Sequence, residues 1–192
     1  MQNNIMKEYD HIQFEKGLPF YDMVMSFMMS LSVVAFFLNN EKLSNLKEKD
    51  WISIEGKWVH PRHFYPYEVL MNIQSGHFTF DIYINSCCCM LANMAFESVK
   101  EKKDKSPEFE LLRHIRNASS HQNVFNFFPH EPSLPAFWKE ALIDHNLKGK
   151  SNPLYGTACF GTFFGVPDLI DLLKDVENKL NFDDERKKHS QG

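Results

Sequence analysis

The chain has 192 residues and a formal net charge of −4, enough length for one domain with a sizeable core, and nothing in it looks like a second. That charge excludes a globally basic protein that coats nucleic acid, so any contact with RNA or DNA must be local. Eighteen phenylalanines and nine methionines predict a core of large, adaptable side chains.

In chain order, residues 1–17 are polar and read as a flexible N-terminal segment, and Gly17 with Pro19 marks the entry to a helix over about 20–39. Its sequence, FYDMVMSFMMSLSVVAFFL, is long enough to span a bilayer, but Asp22, three serines and the lack of flanking lysine or arginine clusters argue against a membrane. A helix apolar nearly all round is instead expected to be buried twice, by its own bundle and by a partner subunit. NNEKLSNLKEKD reads as a loop, WISIEGKWVHP as a short hairpin around Glu55-Gly56, and PRHFYP as an extended connection. A short helix over Tyr67–Ile73 is broken at Gly76, and a long one fits residues 78–101, ending in lysines that suit its C-terminal dipole.

The clearest helix start follows. Ser106 can cap, Pro107 fits the first helical position, and Glu108 and Glu110 lie in the electropositive first turn. Residues 124–135, rich in proline and phenylalanine, cannot continue that helix. AFWKEALID and YGTACFGTFFG have β-like content, with HNLKGKSNP as a turn between them, which predicts a small two-stranded element. VPDLIDLLKDVENKL carries apolar residues at helical spacing and closes the fold, leaving 183–192 as a solvated tail. The expected fold is therefore mainly α: a compact bundle of four to five helices in one domain over 18–182, with a two-stranded β element before the last helix.

Several residue groups carry little chemistry. Cys87, Cys88 and Cys89 are consecutive, unlike a disulfide framework or the C-x2-C spacing of zinc sites, and read with the fourth cysteine as small apolar residues of a reducing, cytoplasmic setting. No basic stretch followed by a short apolar segment and a cleavage site begins the chain, so no secretory signal is expected. His60 and His63 are spaced like a metal pair but lack acidic or cysteine neighbours. Trp51, Trp58 and Trp138 are expected to pack. The glycines of GTACFGTFFG lack the lysine of a phosphate loop, and no G-x-S-x-G motif of a serine hydrolase occurs. No metal and no cofactor is expected.

One segment differs. RHIRNASSHQNVF, residues 113–125, gathers two arginines, two asparagines, two serines and two histidines with no lysine or glutamate. At about 100° per residue, Arg116, Ser120, Arg113, Asn117, His121 and His114 fall on one arc roughly 160° wide, and Leu111, Leu112, Ile115 and Ala118 face the other way. Arg116 and His121 lie about 140° apart, at or near opposite edges of that arc, so they do not touch within one ideal helix. A second copy packed across a two-fold axis would bring each arginine beside the other copy's histidine, and Ala118, Ser119 and Ser120 are small enough to permit it. Two structural alternatives stay open: Arg116 pairs with a glutamate of a neighbouring helix, and His121 caps the last carbonyls of its own helix.

RNASSH at 116–121, preceded by LLRHI, resembles the R-x4-6-H motif of the HEPN superfamily, in the form with a polar residue directly after the arginine. AFWKEALIDHNLKGK followed by a leucine-rich terminal helix is similar in layout to plasmid-encoded members. The resemblance implies a helical bundle, a homodimer, and a metal-independent endoribonuclease that acts as a toxin or abortive-infection effector, with RNA as substrate and an antitoxin protein as a further partner. It implies Arg116 and His121 as catalytic, Asn117 as the polar residue that orients them, and Arg113, His114 and Ser120 as substrate contacts. Histidine can move a proton to or from RNA oxygens near neutral pH, and arginine offers a permanent fork of donors to a phosphate whose charge rises in the transition state. Members silenced by adenylylation carry a tyrosine two residues after the histidine; here that position is Asn123, which puts such modification in doubt. The alternatives are a catalytically inactive module of the same type that binds RNA, a nucleotide or a protein, and an unrelated helical interaction or membrane-peripheral protein.

Overall fold

The computed structural model describes residues 13–38, 49, 52–58, 60–180 and 182. Over these the elements run α1 (Tyr21–Leu38), β1 (Ile52–Ile54), β2 (Arg62–Phe64), α2 (Pro66–Gln74), α3 (Phe80–Val99), α4 (Pro107–Ser120), β3 (Ala136–Trp138), β4 (Ala141–Ile143) and α5 (Val166–Lys179). The fold is mainly α, with two antiparallel two-stranded sheets, one of them between α4 and α5 as expected.

The helix starts follow local chemistry. The Thr79 hydroxyl accepts from Ile82 N (3.2 Å) and the Ser106 hydroxyl from Phe109 N (3.4 Å), while the Asp168 carboxylate reaches back to Gly165 N (2.8 Å). Pro107 sits where its missing N–H is no loss.

Helix α4 is the centre of the molecule, packed against α3, α5 and β3. Leu111, Leu112 and Ile115 are fully buried against Leu91, Ala92 and Ala95 of α3 and Leu169, Leu172 and Leu173 of α5, within one continuous core. Phe125, Phe127, Phe160 and Phe164 extend that core beneath the long segment between α4 and α5. Burial on this scale, at roughly 25 cal/mol per Å² of apolar surface, is the main stabilising contribution.

Three expectations are corrected. The hairpin between α4 and α5 forms within AFWKEALI, pairing Ala136 with Ile143 and Trp138 with Ala141 across a turn where Lys139 takes φ 50°. YGTACFGTFFG contributes only isolated bridges, Val124 with Ala158 and Phe160 with Phe164. The first hairpin is wider than Glu55-Gly56 suggests, because β1 pairs with RHF, the stretch expected to be a connection, in the register Ile52 with Phe64. Every residue of β1 and β2 is exposed, and Trp58 beside them is 87% exposed, so this tryptophan does not pack, whereas Trp138 does. Trp51, the loop 39–48, and the tail 183–192 lie outside the described residues. The N-terminal segment is described from Gln13, and Phe14 packs there on the core, with Lys174 Nζ 5.3 Å from its ring centroid.

No helix among the described residues is long and apolar enough to cross a membrane. Helix α1 buries Val24 and Phe27 against the core and turns Met25, Met28, Met29 and Val33 outward.

Candidate functional site

The candidate site is the C-terminal end of α4 and the turn that follows. His121 ends the helix, its backbone N–H donating to the carbonyls of Ala118 (3.0 Å) and Asn117 (3.2 Å), and its side chain is exposed. Gln122 and Asn123 then take φ 60° and 66°, two successive left-handed residues that are not glycine. Such a pair persists only where its surroundings hold it. Asn123 supplies the hold: its Nδ2 donates to the Phe160 carbonyl (3.0 Å) and its Oδ1 accepts from Phe160 N (2.7 Å). Three backbone bonds, Cys159 N to Asn123 O, Phe125 N to Thr157 O and Gly156 N to Phe125 O, continue the seam. His121 thus projects from a fixed turn, into the wall of a recess of about 360 Å³ formed with Gln122, Asn126 and Tyr155 over Phe125.

Arg116 lies on the opposite edge of the helix, against α3. Its Nη2 donates to Glu97 (2.6 Å), its Nη1 to Asn117 Oδ1 (3.2 Å), and its guanidinium stands 5.7 Å from the Phe96 ring centroid, while Nε is buried without a partner. Glu97 is shared with Lys100 (2.6 Å); hydrogen bonds from Lys100 and then Arg116 hold its carboxyl below the usual range. Ser120 donates to Asn93 Oδ1 (2.6 Å), one turn along the same α3 face. Of the two structural alternatives, the glutamate partner is therefore present for Arg116, whereas it is the backbone of His121, not its imidazole, that closes the last turn. Among the described residues no hydrogen bond joins Arg116 to His121; the structure brings together Arg116, Asn117 and Ser120 and sets His121 apart.

Arg113 and His114 have a different environment. Arg113 donates from Nε to Glu110 (2.8 Å), from Nη1 to Glu131 (3.0 Å) and from Nη2 to His114 Nε2 (3.0 Å). Because a guanidinium only donates, Nε2 must be the accepting nitrogen of a neutral imidazole. Burial, and then the adjacent Arg113 charge, push the His114 pKa down to about 4. The ring is 1% exposed and meets Phe127 edge-on at 5.5 Å. This corrects the expectation that His114 shares the open polar face: it sits at the edge of the arc next to Ala118 and Leu111, and the 125–131 segment folds over that edge. Arg113, with side-chain exposure of 24%, straps the same segment to α4.

Sequence reasoning missed the other walls of the site. Glu97 and Asn93 come from α3 and Tyr155 from the distant loop. A second recess of about 430 Å³, on the far side of Gln122, is lined by Asn85, Ser86, Ser119 and Asn123. No local pattern in the sequence marks Glu97, Asn93, Tyr155, Asn85 or Ser86, whereas Ser119 and Asn123 lie within the segment 113–125.

Among the described residues no cluster of three or more His, Cys, Asp or Glu side chains is placed to hold a metal ion. Burial pushes the Cys88 thiol up to about 12 and raises that of Cys159, so neither is a ready nucleophile. No protein-family model, curated protein or solved structure matches this chain.

Proposed function

We propose that the protein is a metal-independent endoribonuclease of HEPN type, a cytoplasmic toxin or abortive-infection effector whose active form is a homodimer. The observation that carries this reading is the exposure of His121 on a rigid turn at the end of the helix that also presents the Arg116 guanidinium at the surface. In the proposed reaction the imidazole takes the proton of an RNA 2′-hydroxyl, the resulting oxyanion attacks the adjacent phosphorus, the bond to the 5′-oxygen breaks, and the imidazolium gives its proton to that leaving oxygen, giving a 2′,3′-cyclic phosphate and a 5′-hydroxyl. Arg116, oriented by Asn117, meets the charge that develops on the phosphate oxygens.

Two features support a composite site. Arg116 and His121 occupy opposite edges of one helix, so a single phosphate is served by both only if a second copy supplies one of them. Met25, Met28, Met29 and Val33 of α1 and Met90 and Met94 of α3 are all more than two-fifths exposed, an apolar surface suited to burial in an oligomer. The ion pair that occupies Arg116 is exposed to solvent, and such pairs are weak and screened by salt, so a phosphate with bidentate geometry can displace Glu97.

The Glu97 contact also favours a second reading, a catalytically inactive module that binds RNA, a nucleotide or a protein partner, because both Nη groups of Arg116 are already engaged. Total RNA incubated with the purified protein in EDTA separates the two. Cleavage leaving 5′-hydroxyl ends, abolished by His121→Ala and by Arg116→Ala, is the expected result. Intact RNA, or equal cleavage by both variants, would discard the nuclease reading. An antitoxin protein is tested by whether expression slows growth and a neighbouring gene relieves it.

A further inference from the structure

We infer that the two recesses on either side of Gln122 are base-binding subsites for single-stranded RNA, each taking one of the unstacked bases that flank the scissile phosphodiester; the location of that bond rests on the nuclease reading above.

What lines the recesses limits what they can hold. Their volumes, about 360 and 430 Å³, fall within the ordinary range of small-molecule sites. Neither wall contains a lysine, arginine, aspartate or glutamate. The larger recess beside Trp138, about 520 Å³, is lined by Lys139, Glu140 and Asp168, so absence of charge is a property of the two at Gln122 and not of every depression on the molecule. A phosphate or a charged metabolite would find no lysine, arginine or carboxylate partner in them. A nucleobase is neutral, with a flat face and a rim of donors and acceptors; the first lining offers aromatic surfaces and polar edges, the second polar amides and hydroxyls beside Ile82 and Cys89.

Tyr155 and the His121 imidazole offer flat surfaces in the first recess, over Phe125. The side-chain amides of Gln122 and Asn126 there, and of Asn85 in the second recess, have no hydrogen-bond partner among the described residues, so each keeps a donor and an acceptor for a base edge. Single-stranded RNA is recognised in this way, by bases splayed out, stacked on aromatic rings and read along their edges. Gln122 walls both recesses and His121 precedes it, which puts the imidazole beside the ridge that a phosphate joining two neighbouring nucleotides must cross. The ridge is stiff: its left-handed backbone is held by the Asn123 amide on Phe160. Gly161, at φ 89°, brings the 160–164 loop against Asn85, where an added Cβ would stand 3.0 Å from the amide nitrogen. A base stacked inside a duplex presents neither of its faces nor its pairing edge, so an unpaired base makes the fuller set of contacts.

The test uses a short, fluorescein-labelled 2′-O-methyl RNA, which has no 2′-hydroxyl to attack and so reports binding whether or not the protein cleaves. Anisotropy is read for the single strand and for its duplex, with the unmodified protein, with Asn126→Ala and Tyr155→Ala in the first recess, and with Ser86→Phe to fill the second. Ser86 and Asn126 are exposed, and the Ser86 hydroxyl bonds only the Ile82 carbonyl, so both variants keep the fold, which a thermal melt verifies. The single strand is expected to bind more tightly than the duplex, and Tyr155→Ala and Ser86→Phe each to weaken it roughly 10-fold. No binding of the single strand, equal affinity for the duplex, or unchanged affinity in Ser86→Phe and Asn126→Ala overturns the proposal. His121-dependent cleavage with unaltered binding by the recess variants would sink the subsites and leave the nuclease standing. Recess-dependent binding without cleavage would do the reverse.

Discussion

Helix α4 carries two arginine–histidine sets, and the contrast between them organises the protein. Arg113 and His114 share three hydrogen bonds with each other and with Glu110 and Glu131, whose side chains are 8% and 13% exposed. Arg116 is matched to Glu97, whose side chain is 40% exposed, and His121 stands at the surface. Residue type is the same and the helix is the same. What differs is the chain that comes back over them: the Phe127–Glu131 segment closes over the first set, whereas the chain leaves the second through the Gln122–Asn123 turn and borders it without covering it. A charged group wrapped by its own fold serves stability, whereas one left at a rim stays accessible to solvent.

The largest expected effects test that division directly. His121→Ala and Arg116→Ala should reduce RNA cleavage at least about 100-fold, the scale of lost acid–base or charge stabilisation, with melting temperatures close to that of the parent protein. Arg113→Ala should do the opposite. It leaves two poorly exposed carboxylates without their cation, at about 3 kcal/mol, which for a chain of this size lowers Tm by roughly 6–12 °C. Paired thermal melts and cleavage assays would break the comparison if Arg113→Ala kept full stability, or if Arg116→Ala unfolded the protein.

The next effect is on pH dependence. His114 has a folded-state pKa of about 4 against 6.5 for an unperturbed histidine, so between those values the unfolded chain takes up a proton that the native protein refuses. Its contribution is therefore complete above pH 6.5 and lost as the pH falls toward 4, at most about 3 kcal/mol. Glu131, whose carboxyl the Arg113 hydrogen bond holds down against the cost of its burial, loses its share only below its ordinary value of 4.5, so the histidine dominates the higher part of the range. Melts of the parent and of His114→Phe, recorded over the same interval, should diverge: the variant starts less stable and loses little, the parent starts higher and falls. Parallel curves would assign the acid sensitivity elsewhere.

These contrasts also show which features were readable beforehand. The start of α4 was legible because Ser106, Pro107 and the first-turn glutamates are local signals that act locally. The grouping of Arg116, Asn117 and Ser120 on one face was legible because helical spacing alone sets it. The burial of His114 was not, since it depends on Phe127 and Glu131 returning from beyond the helix. The partner of AFW was misjudged for a related reason: the glycine and aromatic content of YGTACFGTFFG suits a strand, but strand pairing is decided by the nearer ALI across a two-residue turn. Tyr155 and Asn85 reach the recesses only through the tertiary fold, and no spacing in the sequence connects them to His121.

A smaller effect comes from the seam beneath the turn. Asn123→Ala removes both amide bonds to Phe160 and places a residue with no such side-chain bonds at φ 66°, at about 2 kcal/mol together. Cleavage should fall by more than stability alone explains, because His121 loses its fixed base, and Asn123→Asp, which keeps one acceptor, should recover part of it. Equal activity per folded molecule in Asn123→Ala would show that the turn need not be rigid.

The smallest effect concerns the carboxylate that occupies Arg116. Glu97→Gln keeps the shape of the side chain and a hydrogen-bond acceptor while removing the charge that competes with phosphate. An exposed pair contributes little to folding, so the melting temperature should not move. RNA affinity should rise a few-fold and fall more steeply with added salt, because one more cation is available to release counterions from the phosphate backbone. If affinity instead drops, Glu97 orients the guanidinium for its ligand, and Arg116 then resembles Arg113 more closely than their exposure implies.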